Sequence, residues 1–176
     1  MSSIFPIMYR GGIMDAPFSI KSTSLKDGQF MPETFIYHGS GCHGQNVSPE
    51  LEWQGAPAET KSFAVTCFDP DAPTGHGWWH WTVVNIPNDV HRLVEGASNS
   101  GKLPPGAIEL TTDYEERGYA GPCPPKGKPH RYVFTVYALP AKNLDANPTD
   151  TAEKIKNELE NQALAKASLT VKYQRQ

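Results

Sequence analysis

Apolar residues in this chain come in short runs broken by proline and glycine, and the period inside each run says what it forms. Residues 62–68 (S-F-A-V-T-C-F) are almost continuously apolar and end at a turn signal, D-P-D-A-P, as a buried strand does. A second such run spans residues 81–86. Along residues 132–139 both alternating sets, Tyr132/Phe134/Val136/Ala138 and Val133/Thr135/Tyr137/Leu139, are largely apolar. That pattern predicts a central strand covered on both faces. Residues 168–173 alternate with a period of two, and residues 17–21 and 34–38 complete the strand candidates, rich in Val, Thr, Phe and Tyr. Between residues 149 and 167 the period changes to that of a helix, with Ala152, Ile155, Leu159, Ala163 and Ala167 on one side. Asp150-Thr151-Ala152-Glu153 is close to a capping box at its start. Short strands with long punctuated loops, and helix confined to the end, predict a mainly β fold, a sandwich rather than a bundle.

Composition narrows this further. The 176 residues suit a single domain, 1–176, able to bury a core of its own. With 20% charged residues and a net charge of −3, the chain has no electrostatic footprint for nucleic acid or an anionic membrane. No window reaches the length of a transmembrane span, and the N-terminus lacks the pattern of a secretory signal, so a cytoplasmic protein is expected. Three cysteines cannot all pair within one chain, and none stands in a C-x-x-C spacing. Cys67, inside an apolar run, reads as a small core residue. Cys42 and Cys123 fall in loops and read as thiols able to react. Free thiols suit a reducing compartment.

Candidate chemistry gathers at the ends of the strands. Pro70 and Pro73 hold the backbone of Asp69-Pro70-Asp71-Ala72-Pro73 rigid as it leaves the sheet, with a carboxylate on each side of Pro70. His80 opens the second apolar run within Trp78-Trp79-His80-Trp81, and a stiff loop from Gly121 delivers His130 to the third. If these strands are neighbours, acids and imidazoles meet at one end of the sheet and shift one another's proton affinities. The plainer reading is that the aspartates cap an Asx-Pro turn and that each histidine is a hydrogen-bonded residue at the core edge. The three tryptophans read as packing and pocket wall, since no basic groove accompanies them. Neither a G-x-S-x-G elbow nor a P-loop occurs. His80, His130 and one aspartate form a chemically reasonable metal set, but the spacing gives it no direct support. Asp69 and Asp71 are not favoured as a general acid/base pair.

Three ordered blocks carry a resemblance. D-P-D-A-P, the run W-W-H-W-T-V-V-N, and G-K-P-H-R-Y-V-F-T-V-Y, preceded by N-V-S-P-E-L-E-W at residues 46–53, together resemble the phosphatidylethanolamine-binding proteins, also called the Raf kinase inhibitor family, in a bacterial form over roughly residues 15 to 173. The resemblance implies a two-sheet antiparallel β-sandwich with a short helical segment near the C-terminus. It implies a pocket for a small anion, phosphate or the phosphorylated head group of a lipid, at Asp69, Asp71, His80, the backbone around Gly121, Cys123 and Pro124, and at His130 and Tyr132. Cys123 stands where eukaryotic members usually have glycine, which alters the approach of backbone to an anion there. Eukaryotic relatives also carry a further C-terminal helix over the pocket, so a more open pocket is expected here. The implied role is non-catalytic, without cofactor or metal: a regulator or inhibitor of a partner kinase or protease, self-associating as a symmetric dimer. The alternative is a metal-assisted hydrolase acting on a small phosphorylated substrate.

Overall fold

The three longest apolar runs lie side by side. In the computed structural model, which describes residues 9–10, 13–14 and 17–176, β7 (Ser62–Asp69) pairs antiparallel with β8 (Trp78–Pro87) on one side and β11 (His130–Leu139) on the other. The N-terminal stretch in which no secretory pattern is found falls mostly outside these residues. β10 (Ile108–Glu109) joins the far edge of β8 and β12 (Ala165–Tyr173) the far edge of β11, giving a five-stranded sheet in the order β10-β8-β7-β11-β12. A three-stranded sheet, β3 (Ser19–Lys21), β6 (Leu51–Gln54) and β9 (Arg92–Leu93), packs across it. Two short ribbons, β1 (Tyr9–Arg10) with β2 (Ile13–Met14) and β4 (His38–Gly39) with β5 (Cys42–His43), complete a mainly β architecture.

The inner face of the large sheet supplies Phe63, Val65, Cys67, Trp81, Phe134 and Val136, which meet Ile20, Leu51, Trp53 and Leu93 from the small sheet in one core. Its outer face is covered too. Ala64, Val84, Tyr137 and Leu139 pack there against Leu144, Ile155 and Leu159. β11 therefore runs between two apolar layers, as its doubly apolar pattern predicts, and β7 and β8 are buried along almost their whole length.

β8 is irregular in two places, and both irregularities set side-chain direction. Phe63 pairs with Ile86 and Val65 with Val83, so Ala64 faces both Val84 and Asn85. Asn85 absorbs the extra residue at φ 59, and its side-chain oxygen accepts the Leu144 amide proton at 2.7 Å. That insertion returns Ile86 to the same core as Val83, an odd spacing that a regular strand would put on opposite faces. The second bulge lies at the other end: Cys67 pairs with Trp81 but Phe68 with Trp79, leaving His80 without a direct partner on β7.

Two sequence expectations are corrected. Residues 34–38 do not form one strand: Glu33–Phe35 is a 3-10 turn that follows Pro32 in the β conformation (φ −62, ψ 152), its Phe35 is buried in the core, and only His38 enters a strand, β4. The C-terminal helical segment is shorter than its periodicity predicts. It begins as a 3-10 turn at Ala152–Ile155 and closes as a π-turn at Glu158–Gln162, with Ala163 already extended. Ala167 belongs instead to β12, where the ladder with β11 claims the backbone from Ala165 onward. The capping box does not form: no side chain caps Thr151, and Asp150 accepts the Asn147 amide at 2.7 Å and pairs with Lys154. Among the described residues no helix is long and apolar enough to cross a membrane.

Phe134 is fully buried at the centre of the inner core. Phe134→Ala is expected to lower the unfolding free energy by about 3–5 kcal/mol, read from chemical-denaturation midpoints.

Candidate functional site

Three neighbouring strands end at one place, and each delivers a polar side chain there. Asp69 is the last residue of β7, His130 the first of β11, and His80 sits at the bulge in β8. Tyr132 follows His130 on the same inward face. They open into a cavity of about 250 Å³ whose walls also include Ala72, Pro73, Thr74, Trp78, Tyr114 and Pro125, with Cys123 and Pro124 on the opposite lip.

Asp69 organises this end of the sheet. Only 3% exposed, its carboxylate accepts the Asp71 amide proton on Oδ1 at 2.7 Å, which closes the Asx turn that the D-P-D sequence predicts. Its Oδ2 accepts from His130 Nδ1 at 2.6 Å. An ionised carboxylate only accepts, so the proton lies on Nδ1 and the ring is held by it.

His80 is set differently. Its Nδ1 lies 2.7 Å from the Ala120 carbonyl, which also fixes a donor at that atom, and the Ala120 amide returns a bond to the His80 carbonyl at 2.9 Å. Burial pushes the ring down to about 4, against the pull of the Ala120 carbonyl, the Asp69 charge and the Gly121 carbonyl. Around neutrality His80 is a neutral ring, and it does not supply the cationic contact to an anion that two histidines together suggest. The rings of Tyr132 and Tyr114 meet it edge-on at 5.2 and 5.5 Å. Burial raises both phenols well above their ordinary range, so each keeps its hydroxyl proton.

Of the residues that the sequence singles out, Asp69, His80, Cys123, Pro124, His130 and Tyr132 come together around the cavity. Asp71 does not. It lies outside, where Oδ1 and Oδ2 accept from the Arg131 guanidinium at 2.9 and 3.0 Å and Oδ2 also takes the Arg131 amide. That guanidinium holds its carboxyl below the usual range. Gly121 also stands back from the cavity: its amide donates to Asn46 Oδ1 at 2.7 Å, and a Cβ there would collide with the Phe35 carbonyl. Its lack of a side chain serves the packing of the loop on residues 35–37. Tyr114, missing from the sequence reading, stacks on Tyr37 at 4.6 Å and meets Trp78 at 5.4 Å. A single aromatic in a polar loop gives no local signal of such a place.

The cysteines require a correction. Cys42, on β5, and Cys123, on the cavity lip, form a disulfide across 81 residues of sequence, with Cα atoms 5.9 Å apart. They are not free thiols; only Cys67 is free, and it is buried as expected. Sequence spacing could not pair them, because the fold of the loop onto the β4–β5 ribbon brings them together. The lip is tied further by Arg175 Nη1, which donates to the Pro124 carbonyl at 3.2 Å, and by the Tyr37 amide, which donates to the Pro122 carbonyl at 3.1 Å.

A sequence profile of the phosphatidylethanolamine-binding proteins matches residues 21–174. UPF0098 protein YbhB of Escherichia coli K12 is 44% identical over 153 residues, covering 86% of this chain and 97% of that one. UPF0098 protein YbcL of the same organism is 44% identical over 162 residues, covering 90% and 88%. The crystal structure of E. coli YbcL, described as a new member of the mammalian PEBP family, superposes with a TM-score of 0.87 at 42% identity, covering 90% of this chain and 99% of that one.

Two outcomes follow from the geometry. Because the folded state holds His80 neutral down to about pH 4 while the unfolded chain protonates it near its ordinary 6.5, its contribution to stability is present above that value and is lost as pH falls between the two. Denaturation midpoints should decline with acidification across that window, and His80→Gln should flatten the slope. Reducing the Cys42–Cys123 bond, or replacing both cysteines by serine, should cost up to about 4.5 kcal/mol for a loop of this length, measured by the same midpoints with and without reductant.

Proposed function

The chain belongs to the phosphatidylethanolamine-binding protein family, and we propose that it is a non-catalytic binding protein whose cavity takes a small oxyanion, phosphate or a phosphorylated head group. The observation that carries this reading is the constellation at the ends of β7, β8 and β11: an imidazole held by a buried carboxylate, two phenolic donors, and apolar walls of proline and tryptophan. Such a cleft offers hydrogen bonds to a compact polar group and apolar contact to whatever it carries. In this reading His130 is the ligand residue, Asp69 positions it, and Tyr132 donates its hydroxyl.

Binding rather than metal-assisted hydrolysis is favoured because, among the described residues, no group of three or more His, Cys, Asp or Glu side chains is placed to hold a metal ion. Each ring is fixed through Nδ1, His80 by the Ala120 carbonyl and His130 by Asp69. The role that fits a binding cavity is regulation of a partner protein, a kinase or a protease, as the resemblance implies, with a symmetric dimer as the proposed assembly. The cytoplasmic expectation rested partly on free thiols, and the disulfide takes that footing away; a compartment oxidising enough to keep Cys42 and Cys123 paired suits this chain better.

Calorimetric titration with inorganic phosphate tests the reading. Wild type is expected to bind, and His130→Gln, which loses both the Asp69 contact and the ring nitrogen facing the ligand, to bind at least about tenfold more weakly while still unfolding cooperatively. Unchanged affinity in the variant would remove His130 from the site. Phosphoester turnover, with and without added divalent metal, is expected to be nil; sustained turnover that His130→Gln abolishes would replace the binding reading with the hydrolytic one.

A further inference from the structure

The cavity's hydrogen-bonding groups are unevenly divided. Tyr132 and Tyr114 bring O–H donors. His80 brings the opposite. Its Nδ1–H is spent on the Ala120 carbonyl, so the remaining nitrogen, Nε2, holds a lone pair on a ring that is 2% exposed and forms part of the cavity wall. Burial at that depth keeps the ring from taking up a second proton near neutrality.

Charge points the same way. Among the described residues no lysine or arginine lines the cavity, and its fixed charge there is the Asp69 carboxylate. Even with His130 cationic, the Asp69–His130 pair sums to zero. The titratable groups around His80 are Asp69 from β7, His130 and Tyr132 from β11, and Tyr114 from the loop after β10. A doubly charged anion entering here would lose hydration without meeting net positive charge, and one of its oxygens would face a lone pair. An oxyanion that retains a proton lowers both costs, since it carries one charge fewer and presents an O–H to an acceptor.

We propose that the cavity selects singly charged oxyanions bearing their own proton, dihydrogen phosphate or a phosphomonoester in its monoanionic form, with His80 Nε2 accepting the hydrogen bond from the ligand's P–O–H. This rests on the oxyanion reading of the site and sharpens it: the acceptor sets which anions enter. Phosphodiesters and sulfate have no such proton to offer. A site built around a hydrogen bond rejects an analogue that cannot make it, because a buried polar group is then left unpaired.

The test is calorimetry on the whole chain at about pH 6, near the second ionisation of a phosphomonoester, with four probes: inorganic phosphate, methyl phosphate, dimethyl phosphate and sulfate. Phosphate and methyl phosphate are expected to bind at least about tenfold more tightly than the other two. Methyl phosphate binding more tightly than inorganic phosphate would identify a phosphomonoester as the source, and the reverse order would identify the free ion; both orders retain the protonated oxygen. Sulfate guards against a purely steric effect of the second methyl group. If sulfate or dimethyl phosphate bound within about threefold of phosphate, the selectivity would be overturned while the oxyanion site stood. If none of the four bound, the oxyanion reading would fall and the selectivity with it. His80→Gln, whose amide offers both a donor and an acceptor, is expected to narrow the gap between phosphate and sulfate. The wild-type series decides the matter even if that variant does not fold.

Discussion

The carboxylate of Asp69 is the constraint on which the working end of this molecule depends. A buried carboxylate is tolerated only when its oxygens are satisfied, and here each is. Oδ1 closes the turn by which the chain leaves β7, and Oδ2 holds the ring that begins β11. One side chain thus joins the exit of one strand to the entry of its neighbour and sets the tautomer of His130. Pro70 and Pro73 restrict the intervening backbone, so the carboxylate has little freedom to look elsewhere.

Sheet irregularity does the rest of the aiming. A regular β8 would alternate Trp79, His80 and Trp81 across the two faces, and His80 would leave the inner side. The extra residue between the Cys67–Trp81 and Phe68–Trp79 pairs re-aims it toward Asp69, and the exchange of hydrogen bonds with Ala120 holds it there. The opposite lip is fixed by different means. The Cys42–Cys123 disulfide, the close approach of Gly121 to residues 35–37, and the Arg175 contact to Pro124 pin a loop that has no ladder of its own.

The resulting cleft is stiff, with proline, aromatic rings and a cross-link around a few polar atoms. Preorganisation of this kind lowers the ordering cost of binding, which matters for a ligand too small to bury much surface. It also divides labour among similar side chains. Asp69 is buried and positions a histidine, whereas Asp71, two residues on, pairs with Arg131 at the surface. His130 is held by a charge, whereas His80 is held by a carbonyl and stays neutral. Equivalent residue types therefore have different chemistry within one cavity.

Period and punctuation alone made the central strands legible, because a strand buried on both faces must be apolar at every position, as 132–139 is. The D-P-D-A-P turn and its position at a strand end were legible for the same local reason: proline and Asx geometry act within a few residues. The family was legible because three rare blocks stand in order, and the comparisons bear it out. What depends on distant contacts was hidden. The helical period at residues 152–167 overran its true end because pairing with β11 outcompeted it, and the capping box yielded to Asp150 bonds that local sequence does not rank. The Cys42–Cys123 bond joins residues 81 apart, and the separation of Asp71 from the cavity depends on Arg131, sixty positions along. The role of His80 depends on a bulge, which shifts register by one residue and leaves no mark on hydrophobic pattern. Strand identity is a local property of which side chains can be buried; which of two identical side chains becomes a donor, an acceptor or a surface ion is settled only by the partners that tertiary structure brings to it.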